Sequence, residues 1–100
     1  MIEIVRKFAR QIKNGRTLQT IIDHMKGEVI ECQDEIDLVL AGQPEGEDGI
    51  VGEAIDIIQC ALDLIFEVRP DITAEELDAI MLRKCEKWLR YYANSIEKAG

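Results

Sequence analysis

The stretch from about Ile50 to Val68 sets the terms for the whole chain. Drawn as a helix, it is apolar around most of its circumference, through Val51, Ala54, Ile55, Ile57, Ile58, Ala61, Leu62, Leu64, Ile65 and Phe66. Its polar residues, Glu53, Asp56, Gln59, Asp63 and Glu67, keep to one narrow stripe. A helix that is apolar nearly all round is a central one. In a chain of 100 residues, too short to bury a large share of its surface, this implies burial on two sides: by the rest of the subunit and by a second copy.

What surrounds that stretch is also helical in pattern. The hydrophobic fraction is 47% but the aromatic fraction 5%, so aliphatic helix packing has to supply the core. With two prolines and no strand-like alternation, the chain reads as all-α: a single domain over residues 1–100, an antiparallel helical bundle of about four helices, oligomeric. Residues 2–13 form a short amphipathic helix with Ile4, Val5, Phe8 and Ile12 on one side and Arg6, Lys7, Arg10 and Lys13 on the other, ended by Asn14-Gly15. Those basic residues are either phosphate contacts given to a neighbour or a solvated face. Thr17 is placed to cap a long helix from Leu18 to about Leu40. Gly27 interrupts that helix at some cost in propensity, either admitting a close approach or as a tolerated accident. Residues 41–49 hold three glycines and a proline and form a loop. Glu45, Glu47 and Asp48 within it follow no EF-hand spacing and are expected to be solvated. A turn at Arg69-Pro70 leads to Thr73-Ala-Glu-Glu76, a capping-box start for the last helix. That helix lines up Leu77, Ile80, Met81, Cys85, Trp88, Leu89 and Tyr92, placing Trp88 in the core or, alternatively, against a base.

Charge and thiols narrow the classes further. A net charge of −8 disfavours a nucleic-acid polymer, which needs clustered positive surface, though not a nucleotide accompanied by metal ions. Cys32, Cys60 and Cys85 show no zinc spacing, and three thiols without a signal peptide point to a reducing, cytoplasmic setting. No apolar run approaches the ~20 residues that cross a bilayer, so no membrane partner is expected.

Two pairs of acids stand out. Glu28 with Glu31, and Glu53 with Asp56, are each three residues apart, hence on one face of a helix, where like charges repel unless a cation lies between them. The loop length allows the second helix to fold back and bring the pairs together. Eight carboxylate oxygens in one region suit a hard divalent cation, Mg²⁺ or Mn²⁺. Drawn at 100° per residue, the apolar stripe of the 18–40 helix runs through Leu18, Ile21, Ile22, Met25, Val29, Cys32, Ile36 and Val39. Glu28 and Glu35 lie on its border, where desolvation favours a partner, with Glu31 just beyond. Either pair alone would pass for part of a solvated face. His24, one turn before Glu28, reads as a packing or supporting residue. Asp63, two turns beyond Asp56, is either a supporting acid or an exposed one. Late in the last helix, Arg83, Lys84, Lys87 and Arg90 concentrate positive charge, suited to phosphates or to the helix dipole.

With these residues in place the chain resembles the all-α nucleotide pyrophosphohydrolases of the MazG-like superfamily, over a core of about 18–92. Glu28-Val-Ile-Glu31 and Glu53-Ala-Ile-Asp56 look like their ExxE and ExxD pairs. His24-Met-Lys-Gly-Glu-Val-Ile-Glu31 is similar to the line of members acting on deoxynucleotides, and Leu82-Arg-Lys-Cys-Glu-Lys-Trp88 to their late Lys/Trp segment. Gly27 departs from the charged residue of many relatives, and Trp88 and Tyr91 stand at the offsets where an Asn and an Arg would follow Lys84. The resemblance implies hydrolysis of a nucleoside triphosphate between the α- and β-phosphates. Glu28, Glu31, Glu53 and Asp56 would be metal ligands, Glu28 or Glu31 would also orient the nucleophile, and Lys84, Lys87 and Trp88 would contact substrate. It implies a homodimer or homotetramer. Two other functions fit the same residues: a non-catalytic helical module that senses nucleotide or binds a partner, and a plain dimerisation domain.

Overall fold

A computed structural model describes residues 1–12 and 15–99, with side chains described as far as residue 94. Four helices account for the described residues: α1 (Ile2–Gln11), α2 (Leu18–Leu40), α3 (Gly49–Val68) and α4 (Ala74–Ala99), without strands. The chain divides into two compact units, Met1–Pro70 and Asp71–Gly100. None of the described helices is long and apolar enough to cross a membrane.

Local chemistry explains the boundaries. Thr17 caps α2 reciprocally with Thr20: the Thr20 amide donates to Thr17 Oγ1 at 3.1 Å and the Thr17 amide to Thr20 Oγ1 at 2.8 Å. Two otherwise orphaned donors are thereby satisfied. Thr17→Ala is expected to lower stability by about 1 kcal/mol, read as a drop in thermal midpoint with an unchanged helical spectrum. The other end of α2 closes on Gly42, whose φ of +75° suits a residue without a side chain. Its amide reaches Val39 O at 3.0 Å and the Gln43 amide reaches Leu38 O at 2.9 Å, which uses up the last carbonyls. Glu35 then accepts from the Gly46 amide (2.8 Å), and Glu45 accepts from the Ile50 amide (2.8 Å) at the start of α3. Glu45 is therefore held rather than merely solvated. In the second unit, the Glu76 amide donates to Thr73 Oγ1 at 3.1 Å, capping α4 as its sequence indicates.

Packing departs from the sequence pattern in instructive ways. The first helix ends at Gln11 rather than at 13, with the Ile12 amide bonded to Phe8 O; Lys13 and Asn14 lie outside the described residues. Ile4, Phe8 and Ile12, expected inside, are more than half exposed. Arg6, expected in solvent, instead lays its guanidinium over the Phe66 ring, 4.9 Å from the centroid, with its side chain 14% exposed. A long stem that packs along apolar surface can replace an aliphatic residue at such a contact.

Helix α2 is likewise rotated from expectation. Its inner face carries Ile21, Met25, Glu28, Cys32 and Glu35, whereas Leu18, Val29 and Val39 are exposed. Helix α3, which packs on both α2 and α1, turns part of its polar stripe inward: Glu53 is 9% exposed, while Val51, Ile55 and Ile58 face out. Ile21, Cys60 and Phe66 form the buried centre of the first unit. Trp88 is 62% exposed and edge-on to Tyr92, so it is not a core residue of the second unit.

Candidate metal centre

The α2–α3 pairing sets three levels of contact. Cys60 meets His24, the 53/56 acids meet the 28/31 acids, and Gly46 meets Glu35. At the middle level, one carboxylate oxygen from each of Glu28, Glu31, Glu53 and Asp56 lies within 4.8 Å of the other three. Spacing within each helix supplies the pairs, and the packing of the helices supplies their convergence. Both acid pairs singled out in the sequence are thus brought together.

The cluster is electrostatically unsatisfied. Burial pushes the Glu53 carboxyl up from its ordinary value of 4.5, and the charges of Glu31, Asp56, Asp48 and Glu28 push it further. A hydrogen bond shared with Glu28 raises Glu31, assisted by the Glu28 charge, partial desolvation and the charges of Asp56 and Asp34. Such a bond needs a proton on one carboxyl. With the acids ionised, Oε2 of Glu28 and Oε2 of Glu53 are buried and have no hydrogen-bond partner among the described residues. Buried carboxylate oxygens are ordinarily paired. Two of them, on separate helices and on two residues of the four-acid cluster, suit a divalent cation. All-oxygen donors fit Mg²⁺ or Mn²⁺ better than a softer ion.

Glu28 is held in place by His24, whose Nε2 lies 2.9 Å from Glu28 Oε1. On its other side His24 Nδ1 lies 3.7 Å from Cys60 Sγ. The thiol is raised by burial, then by Glu28, Asp63 and Asp56, and stays protonated beside the acids. The four-residue spacing signals the histidine–carboxylate contact, because such positions are neighbours on a helix. His24→Ala is expected to weaken divalent-ion affinity about tenfold without unfolding the chain, as loss of a supporting hydrogen bond does at metal sites. A Mn²⁺ titration followed by electron paramagnetic resonance measures it.

Asp63 is not a supporting acid of the cluster. It forms an ion pair with Arg16 Nη1, while Arg16 Nη2 donates to Ala9 O at 3.3 Å. The partners are 47 residues apart, and no local pattern foretells such a pair. Lys84, Lys87 and Trp88 sit on α4 in the second unit, all exposed. Gly27 has open space where a side chain would stand. Comparisons with protein-family models, curated proteins and solved structures gave no match for this chain.

Proposed function

We propose that the chain is a Mg²⁺-dependent nucleoside triphosphate pyrophosphohydrolase, MazG-like in its acid pairs, that acts on deoxynucleotides by preference. The observation behind this reading is the pair of unpartnered carboxylate oxygens on Glu28 and Glu53 inside a four-carboxylate cluster. In this reading α2 and α3 run antiparallel, and Glu28, Glu31, Glu53 and Asp56 hold Mg²⁺, with Mn²⁺ able to replace it. When bound, the ion supplies charge neutralisation for the triphosphate and acidifies a coordinated water.

The protein's own groups do the remaining work. Glu28 or Glu31 orients the attacking water and accepts its proton. The new bond joins the water oxygen to the α-phosphorus. The bond from that phosphorus to the bridging oxygen of the β-phosphate breaks, and pyrophosphate leaves. His24 fixes the Glu28 carboxylate, so its orientation is set before substrate arrives. The outward-facing Val51, Ile55 and Ile58 of α3 supply apolar surface for a homodimer or homotetramer, in a cytoplasmic setting.

Pyrophosphate release from a panel of NTPs and dNTPs, with Mg²⁺ and with chelator, tests the proposal. Metal-dependent release from at least one triphosphate is expected. Nucleotide binding without turnover would instead select a metal-stabilised sensing module, and no response to metal would select a dimerisation domain.

A further inference from the structure

We propose that the cleft between α1 and α3 is a binding site for a phosphate-class anion, built on Arg6, Arg10 and Arg16. It lies apart from the carboxylate cluster and does not depend on the metal-centred reading. The cavity measures about 410 Å³ and is lined by these arginines together with Asp63, Phe66 and Glu67. Half of the chain's six arginines therefore line one cleft. Three cations and two acids line it, and Glu3 beside Arg6 brings the local formal charge to zero, on a chain whose net charge is −8.

The arginines are already arranged for an anion. Arg6 is fixed by the Phe66 ring and by Glu3, 3.6 Å away, so little side-chain freedom is lost when it binds. Arg16 is anchored through both terminal nitrogens to Asp63 and Ala9 O. Its Nε is buried and meets no acceptor among the described residues. A guanidinium edge that pairs Nε with a terminal nitrogen matches two oxygens of one phosphate. The cleft is larger than a bare phosphate needs, and Ala9, Ile12 and Phe66 give it apolar wall. It therefore suits a diphosphate or a phosphate ester with a small organic part. Asp63 competes for the same guanidinium from its Nη1 side, while the Nε–Nη2 edge, whose Nη2 also donates to Ala9 O, faces the dianion. This gives the first helix a ligand-binding role.

Isothermal titration of the full chain with inorganic phosphate and with pyrophosphate, both in chelator, provides the test. Chelator removes any contribution from a divalent ion at the carboxylates, so a negative result here leaves the pyrophosphohydrolase reading standing, and the reverse holds too. Saturable binding of both anions is expected, with pyrophosphate the tighter. Arg16→Gln and Arg10→Gln should each weaken it about fivefold or more, as loss of a charge-assisted contact does. Asp63→Asn should tighten it about threefold by removing the competing charge. Lys26→Gln, on the exposed face of α2, should leave it unchanged. Should Arg16→Gln fail to fold, Arg10→Gln and Asp63→Asn decide. Absence of saturable binding, weaker binding in Asp63→Asn, or an equal loss in Lys26→Gln would each overturn the proposal.

Discussion

Glu53→Gln is expected to cut Mg²⁺-dependent pyrophosphate release by about three orders of magnitude while leaving the helical spectrum intact, because under the proposed function it removes one ligand of the ion that would stabilise the transition state. Glutamine keeps the volume and one carbonyl oxygen, so packing at this 9% exposed position is preserved. What disappears is a charge and the oxygen that has no partner among the described residues. The same substitution should raise the thermal midpoint of the metal-free protein, because it removes a charge that burial and four neighbouring acids all disfavour. Activity and apoprotein stability therefore move in opposite directions. Near wild-type turnover would take Glu53 out of the mechanism, and a lower midpoint would make it a structural residue.

If the four carboxylates hold Mg²⁺ as proposed, the ion is expected to stabilise the wild-type chain most where they are ionised. Glu53 and Glu31 both have folded-state values raised above the ordinary 4.5. Between the ordinary and raised values the folded chain binds more protons than the unfolded one, so stability falls as pH rises. The metal-free protein is thus most favoured below 4.5 with respect to these two groups, and it loses that contribution as each ionises in the fold. An ion that takes the place of the protons reverses the loss. At a concentration a hundred times its dissociation constant it adds about 2.7 kcal/mol, roughly 10 °C or more in midpoint for a domain of this size. Thermal scans with and without Mg²⁺ should show a gain at about pH 8 that shrinks as the pH is lowered towards 4.5, where these two acids hold protons in the fold. A gain that does not change with pH, or no gain at all, would remove the ion from these acids.

Elements and acid pairs were legible because their signals are local. Thr17, the glycine-rich 41–49 segment and Thr73 mark helix ends by chemistry that acts within a few residues, and α2 and α3 begin and end within a residue of those marks. The 28/31 and 53/56 spacings likewise put each pair on one face whatever lies opposite. Rotation of a helix about its axis is a different matter, since it depends on the surface it meets. Arg6 packs over Phe66 while Ile4 and Phe8 face outward, because the partner surface on α3 rewards a long stem and a cation. Helix α2 turns Glu35 inward for a similar reason: it has the Gly46 amide to meet. The Arg16–Asp63 pair depends on chain closure over 47 residues, which leaves no trace in a sliding window.

The contact from Cys60 through His24 to Glu28 fixes a proton inventory. A thiol kept protonated by burial can donate to Nδ1, so that ring nitrogen presents its lone pair to sulfur. In the tautomer in which the thiol donates to Nδ1, the imidazole proton sits on Nε2 and faces Glu28, so that one ring links the sulfur to the carboxylate. In that tautomer both ring nitrogens are engaged, and the imidazole's part is to aim the Glu28 carboxylate.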